Sequence, residues 1–109
     1  LLQLVTKIER RLLMIDDRNK GLDDPSLFNE LPEEEKQRLL NWISENLHPI
    51  KSFNDRHTSY GLKHKLPFYV YNGIFKGAML AAGYKVKNKS NRNWVFNISQ
   101  KSKCLRRNL

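Results

Sequence analysis

Cysteine is all but missing from this sequence: Cys104 is the sole thiol in 109 residues. An internal disulfide is therefore excluded, and one thiol cannot assemble a thiolate zinc site. Such usage suits a reducing, cytoplasmic compartment. Long apolar runs are missing as well. No stretch approaches the ~18 apolar residues that a transmembrane helix requires, so no membrane association is expected. Residues 1–5 carry no initiator Met; they read as a processed or trimmed start, too short and too soon charged for a signal peptide. The chain also lacks a GxxxxGK[ST] phosphate loop and any HExxH or paired Cys/His pattern. These absences argue against nucleotide hydrolysis and metal-dependent proteolysis.

Acid is the scarcest commodity in the second half. Residues 1–50 hold 7 Lys/Arg and 10 Asp/Glu, whereas residues 51–109 hold 13 Lys/Arg and a single acid, Asp55. The whole chain carries +9, and nearly all of that excess is segregated. Charge separated between halves points to a polyanionic partner, nucleic acid before an anionic membrane. It also argues against a metal-dependent nuclease, which needs carboxylates to hold its ion. Aromatic residues make up 10% of the chain, too many for a disordered basic tail.

The apolar spacing predicts a mainly helical domain. Over residues 1–15, Leu1, Leu4, Val5, Ile8, Leu12 and Ile15 recur at three- and four-residue steps, so a helix is expected there. Its leucine-rich stripe is either core or a surface for homodimerisation or another partner. Asp23-Asp24-Pro25-Ser26 reads as a turn leading a short helix over Leu27-Phe28. Pro32 followed by Glu33, Glu34 and Glu35 opens the clearest helix, because proline loses no needed N–H there and three carboxylates complement the helix dipole. Leu39, Leu40, Ile43 and Leu47 form its apolar face, and His48-Pro49 ends it. A short helix over residues 60–65 stops at Leu66-Pro67. Phe68 to Tyr71 is a run of β-favouring residues. Asn72 is placed to cap a helix over residues 73–82, with Ile74, Phe75, Ala78, Met79 and Ala82 on one face and Gly83 as its stop. Tyr84-Lys85-Val86-Lys87, then Trp94, Phe96 and Ile98, alternate as two strands joined by a polar turn.

The expected fold is therefore mainly α with a C-terminal β-hairpin, an α+β arrangement. Residues 1–22 form the N-terminal helix, 23–99 the domain, and 100–109 a basic tail. The order of elements from residue 32 resembles a winged-helix domain, a helix-turn-helix variant. That resemblance implies a recognition helix over residues 72–82, entering the major groove of duplex DNA, and a wing over residues 84–98. The helix is poorly furnished for base readout, since Lys76 is its only basic side chain. The wording of residues 57–64 and 71–84 is also similar to small uncharacterised proteins of phages and mobile elements in Gram-positive bacteria, which implies a bacterial setting and no chemistry.

The wing carries the functional expectation. Lys85, Lys87, Lys89 and Arg92, interleaved with Asn91 and other amides, suit phosphate contacts at a hairpin tip. Lys63, Lys65, Lys76 and Asn72 extend the patch, and Lys101, Lys103, Arg106 and Arg107 supply a basic arm. Tyr69 and Tyr71 are the aromatics placed to stack on bases, with core packing as their other role. His57 and His64 lie about 10 Å apart if helical, too far to share a metal ion. Neither cofactor nor enzymatic reaction is indicated. The competing reading is a mobile-element protein that binds and modulates a host or phage protein through the basic face or the N-terminal helix.

Overall fold

A computed structural model describes residues 18–106, with side chains from residue 21 onward. The helix expected over residues 1–15, its role in dimerisation or partner binding, and Arg107 lie outside the described residues. Four α-helices follow in order: α1 (Arg18–Asp23), α2 (Glu33–Asn46), α3 (Ser59–Lys63) and α4 (Asn72–Ala81). Two 3₁₀ turns, Pro25–Glu30 and Lys103–Leu105, complete the regular structure. Among the described residues no helix is long and apolar enough to cross a membrane.

Local chemistry accounts for the helix ends. Asp24 caps the first 3₁₀ turn by accepting from the Ser26 N–H at 2.9 Å, and Pro25 sits at its first position. Helix α2 starts after Pro32, carries Glu33 to Glu35 in its first turn and buries Leu39 and Ile43. Helix α4 stops at Gly83, which takes φ +90°. The Gly83 and Tyr84 N–H groups bond back to the Leu80 and Met79 carbonyls at 3.0 Å each, a Schellman termination.

Helix α4 is the axis of the core. Every residue from Asn72 to Met79 is buried. Its glycine side lies on the 3₁₀ turn Pro25–Glu30, where a Cβ on Gly77 would overlap the Pro25 carbonyl oxygen and crowd Phe28. Its other side meets Phe96, whose ring stands edge-on to Phe75 at 6.4 Å between centroids, and Trp94 packs on Phe96 in the same way at 6.2 Å. A helix buried all round has no face to lay in a DNA groove, so the recognition-helix role falls away.

The C-terminal β-hairpin, and with it the winged-helix-like fold, is not what forms. Among the described residues there is no strand, only isolated antiparallel bridges between Val86 and Phe96 and between Pro49 and Ile98. The alternation that predicted the returning strand is real, since Trp94, Phe96 and Ile98 are all buried. Its hydrogen bonds, however, are divided between two neighbours. Lys87 N–H donates to the Val95 carbonyl on one side, while Ile50 and Asn54 N–H groups donate to the Asn97 and Phe96 carbonyls on the other. Side chains take the remaining places: Ser59 Oγ accepts from Trp94 N–H, and Asn97 Oδ1 accepts from Lys85 N–H. Residues 94–98 thus form a middle pass between two outer passes, and neither side accumulates a ladder.

Candidate nucleic-acid interface and an adjoining tyrosine cleft

The three passes bring separate parts of the basic half together. Asn97 is the clamp. Its carbonyl and side chain hold Ile50 on one flank, at 2.9 Å for each bond, and Lys85 N–H on the other at 2.7 Å. Ile50 and Lys85 are therefore both tied to Asn97, one on each flank. Lys87 reaches across to Asp55 at 2.7 Å, joining the outer passes over the middle one. Lys51, Arg56, Lys85 and Lys89 are exposed around that pair and have no carboxylate partner among the described residues. Lys51 and Arg56 were not singled out from the sequence. They fall in the connector, which the pairing of residues 50 and 54 with 97 and 96 and the Asp55–Lys87 ion pair bring against the segment that carries Lys85 and Lys87.

The other expected contacts differ in exposure. Lys65, Lys101, Lys103 and Arg106 are exposed elsewhere along the chain, and Asn91 is exposed in the loop. Lys63, Asn72 and Lys76 are withdrawn from the surface, at 6%, 7% and 4% exposure. Nor is the loop over residues 88–93 a free wing tip. Arg92 Nε donates to Asp23 at 2.6 Å, and the Arg92 carbonyl accepts from Lys76 Nζ at 3.0 Å. Asn72 does not cap α4; its Nδ2 faces Asp23 Oδ1, Asn93 Oδ1 and the Arg92 carbonyl at 2.9, 3.1 and 3.2 Å. This polar knot pins the far end of the loop onto α1 and α4.

Beside the knot opens a cleft of about 430 Å³ lined by Leu22, Asp23, Tyr60, Lys63, Tyr69, Tyr71, Asn72, Arg92 and Asn93. Lys63 is its central charge. The ammonium donates to the Val70 carbonyl at 3.1 Å and lies 4.4 Å from the Tyr69 ring and 5.2 Å from that of Tyr60. Lys76 behaves alike on the far side, 4.5 Å over the Trp94 ring. Tyr60 and Tyr69 are both about half exposed. Tyr71 stands edge-on to Tyr69, at 5.6 Å between centroids.

No family model, curated protein or solved structure matches this chain. Its function is read from its own side chains. Among the described residues no three His, Cys, Asp or Glu side chains come together as a metal site. His57 Nε2 pairs with the Gln100 side chain at 3.0 Å, and His64 packs edge-on against Tyr60.

Burial pulls both lysine ammoniums below their usual 10.5, with the nearby Asp23 carboxylate acting in the opposite sense. Between the lowered value and 10.5 the unfolded chain binds more protons than the folded one, so this contribution to stability rises with pH. Cys104 and Tyr84, whose pKa values burial raises above 9.0 and 10.0, act in reverse in the alkaline range. A Lys76→Met variant separates the two, because it keeps Cys104 and Tyr84. In urea denaturation at neutral and alkaline pH, the parent is expected to gain stability relative to this variant as pH rises. A difference that does not change with pH would contradict the assignment.

Proposed function

We propose that the protein is a nucleic-acid-binding module that holds the phosphate backbone through its exposed ridge of cations, without catalysis. The observation that carries this reading is the electrostatic bookkeeping of the second half. Its single acid, Asp55, is already taken by Lys87, and Lys51, Arg56, Lys85 and Lys89 surround that pair exposed to solvent. Such a surface attracts phosphates at long range and releases counterions on contact. With α4 buried, no element among the described residues is furnished to read base edges, so little sequence preference is expected.

The test is a titration of duplex and single-stranded probes at several salt concentrations. A Lys51→Glu, Lys85→Glu, Lys89→Glu triple variant is expected to bind at least tenfold more weakly. The slope of log affinity against log salt should shrink by about 2 to 3, one phosphate contact per lost cation. None of the three side chains packs in the core, so the melting temperature should barely change. A folded triple variant with the parent's affinity and salt slope would refute the ridge.

A further inference from the structure

We propose that the tyrosine cleft is a second site, which takes a phosphorylated nucleotide, with the phosphate between Lys63 and Arg92 and the base against the rings of Tyr60 and Tyr69. The inference adds to the reading above and does not depend on the ridge.

Charge carries the first part of the argument. The Lys63 side chain is nearly enclosed, yet no carboxylate among the described residues lies within ion-pair distance of it. Asp23, the carboxylate whose field it feels, is bonded to Arg92 and Asn72. Among the described residues this ammonium is met by a carbonyl, ring faces and the field of a carboxylate already engaged elsewhere, so its charge remains undercompensated. Arg92 contributes a second cation at the rim, where its side chain is 67% exposed and only Nε is spent on Asp23. A phosphate would satisfy both, since charge-assisted bonds to arginine and lysine are the strong ones.

Shape carries the second part. The cleft's volume falls within the roughly 300–1,000 Å³ typical of small-molecule sites. A bare anion would not need two half-exposed tyrosines beside the ammonium, whereas a nucleobase would use them as a stacking platform. Asn72, 7% exposed and on the cleft wall, has its amide nitrogen fully engaged while Oδ1 finds no partner among the described residues. An orphaned buried acceptor is rare, and a small adjustment that lets it meet a donor on a base would remove the deficit.

Calorimetric titration of the full chain with a nucleoside 5′-monophosphate, the matching nucleoside and inorganic phosphate tests the site. The monophosphate is expected to bind at least tenfold more tightly than either fragment. Lys63→Gln, which keeps a donor for the Val70 carbonyl but drops the charge, should lower that affinity at least tenfold. Tyr60→Ala, at a half-exposed position, gives the same test should Lys63→Gln fail to fold. The Lys51, Lys85, Lys89 triple variant should bind the monophosphate as the parent does, so the two sites fail separately. Oligonucleotides with a 5′-phosphate or a 5′-hydroxyl then identify the source. Tighter binding of the phosphorylated strand, abolished by Lys63→Gln, assigns the cleft to chain ends. Equal binding of the two strands with retained monophosphate affinity assigns it to free nucleotides. No saturable binding of the monophosphate, or binding indifferent to both cleft variants, would overturn the proposal.

Discussion

Gly77→Val is expected to destabilise the protein by about 4 kcal/mol or more, enough to unfold much of a marginally stable domain. The reason is the close approach of two backbones. Helix α4 and the 3₁₀ turn Pro25–Glu30 touch where Gly77 has no side chain, and a Cβ would meet the Pro25 carbonyl oxygen and Phe28 Cβ. Backbone cannot rotate aside as a long side chain can, so the helix must lift and uncover Leu27 and Phe28. Gly61→Ala is the matched control. It lies within α3, where a Cβ would meet nothing within 4 Å, and alanine there should be neutral or stabilising by up to about 1 kcal/mol. Urea denaturation followed by tryptophan fluorescence and circular dichroism measures both. Equal midpoints for the two variants would mean that α4 does not sit on the turn as described.

Asp23→Ala should produce the next largest loss, about 1 to 2 kcal/mol, because the ion pair is partly screened by solvent while the hydrogen bond to the Asn72 amide is lost with it. Its carboxylate, 18% exposed, holds Arg92 at 2.6 Å and Asn72 at 2.9 Å. It is also the carboxylate whose field offsets the burial of Lys63 and Lys76. Removing it leaves three cations and an amide facing one another across the polar knot. Asp23→Asn keeps the acceptor oxygen and loses the charge, so it should fall between parent and alanine variant. A double-mutant cycle with Arg92→Ala isolates the pair. An alanine variant as stable as the parent would show that the loop over residues 88–93 is held by something else.

The helices were legible because their signals are local. Pro32 and three glutamates mark the start of α2, and Gly83 the end of α4, from residues within a turn of each boundary. The surroundings of α4 were not. Ile74, Phe75, Ala78 and Met79 announced one buried face, but Gly73 and Gly77, four residues apart, marked a second face pressed on another backbone. Lys76 reads as a surface cation, yet its stem crosses the core and its ammonium ends on a carbonyl and an indole face. Alternation in residues 94–98 reported burial faithfully and pairing falsely, because period two says which side chains point inward and not which backbone accepts the bonds. The partners chosen were distant, and each bond joins a side chain to a backbone group: Ser59 for Trp94, Ile50 for Asn97 and Ser102 for His48, at separations of 35, 47 and 54 residues. No window of sequence contains those pairs. Of the nine positions expected to touch nucleic acid, Lys85 and Lys89 lie on the ridge and Lys87 at its centre is paired with Asp55. Lys63, Asn72 and Arg92 meet in the cleft, which tyrosine spacing alone could not have revealed.

The middle pass sets the order of events at the ribosome. Residues 94–98 cover Phe75 and tie together segments made long before them, so the apolar wall of α4 remains bare until they have been made. A nascent chain that stalls short of Trp94 leaves the newly made helix uncovered, a sticky intermediate for chaperones or other chains to capture. Translation must therefore pass Ile98 before this core can close.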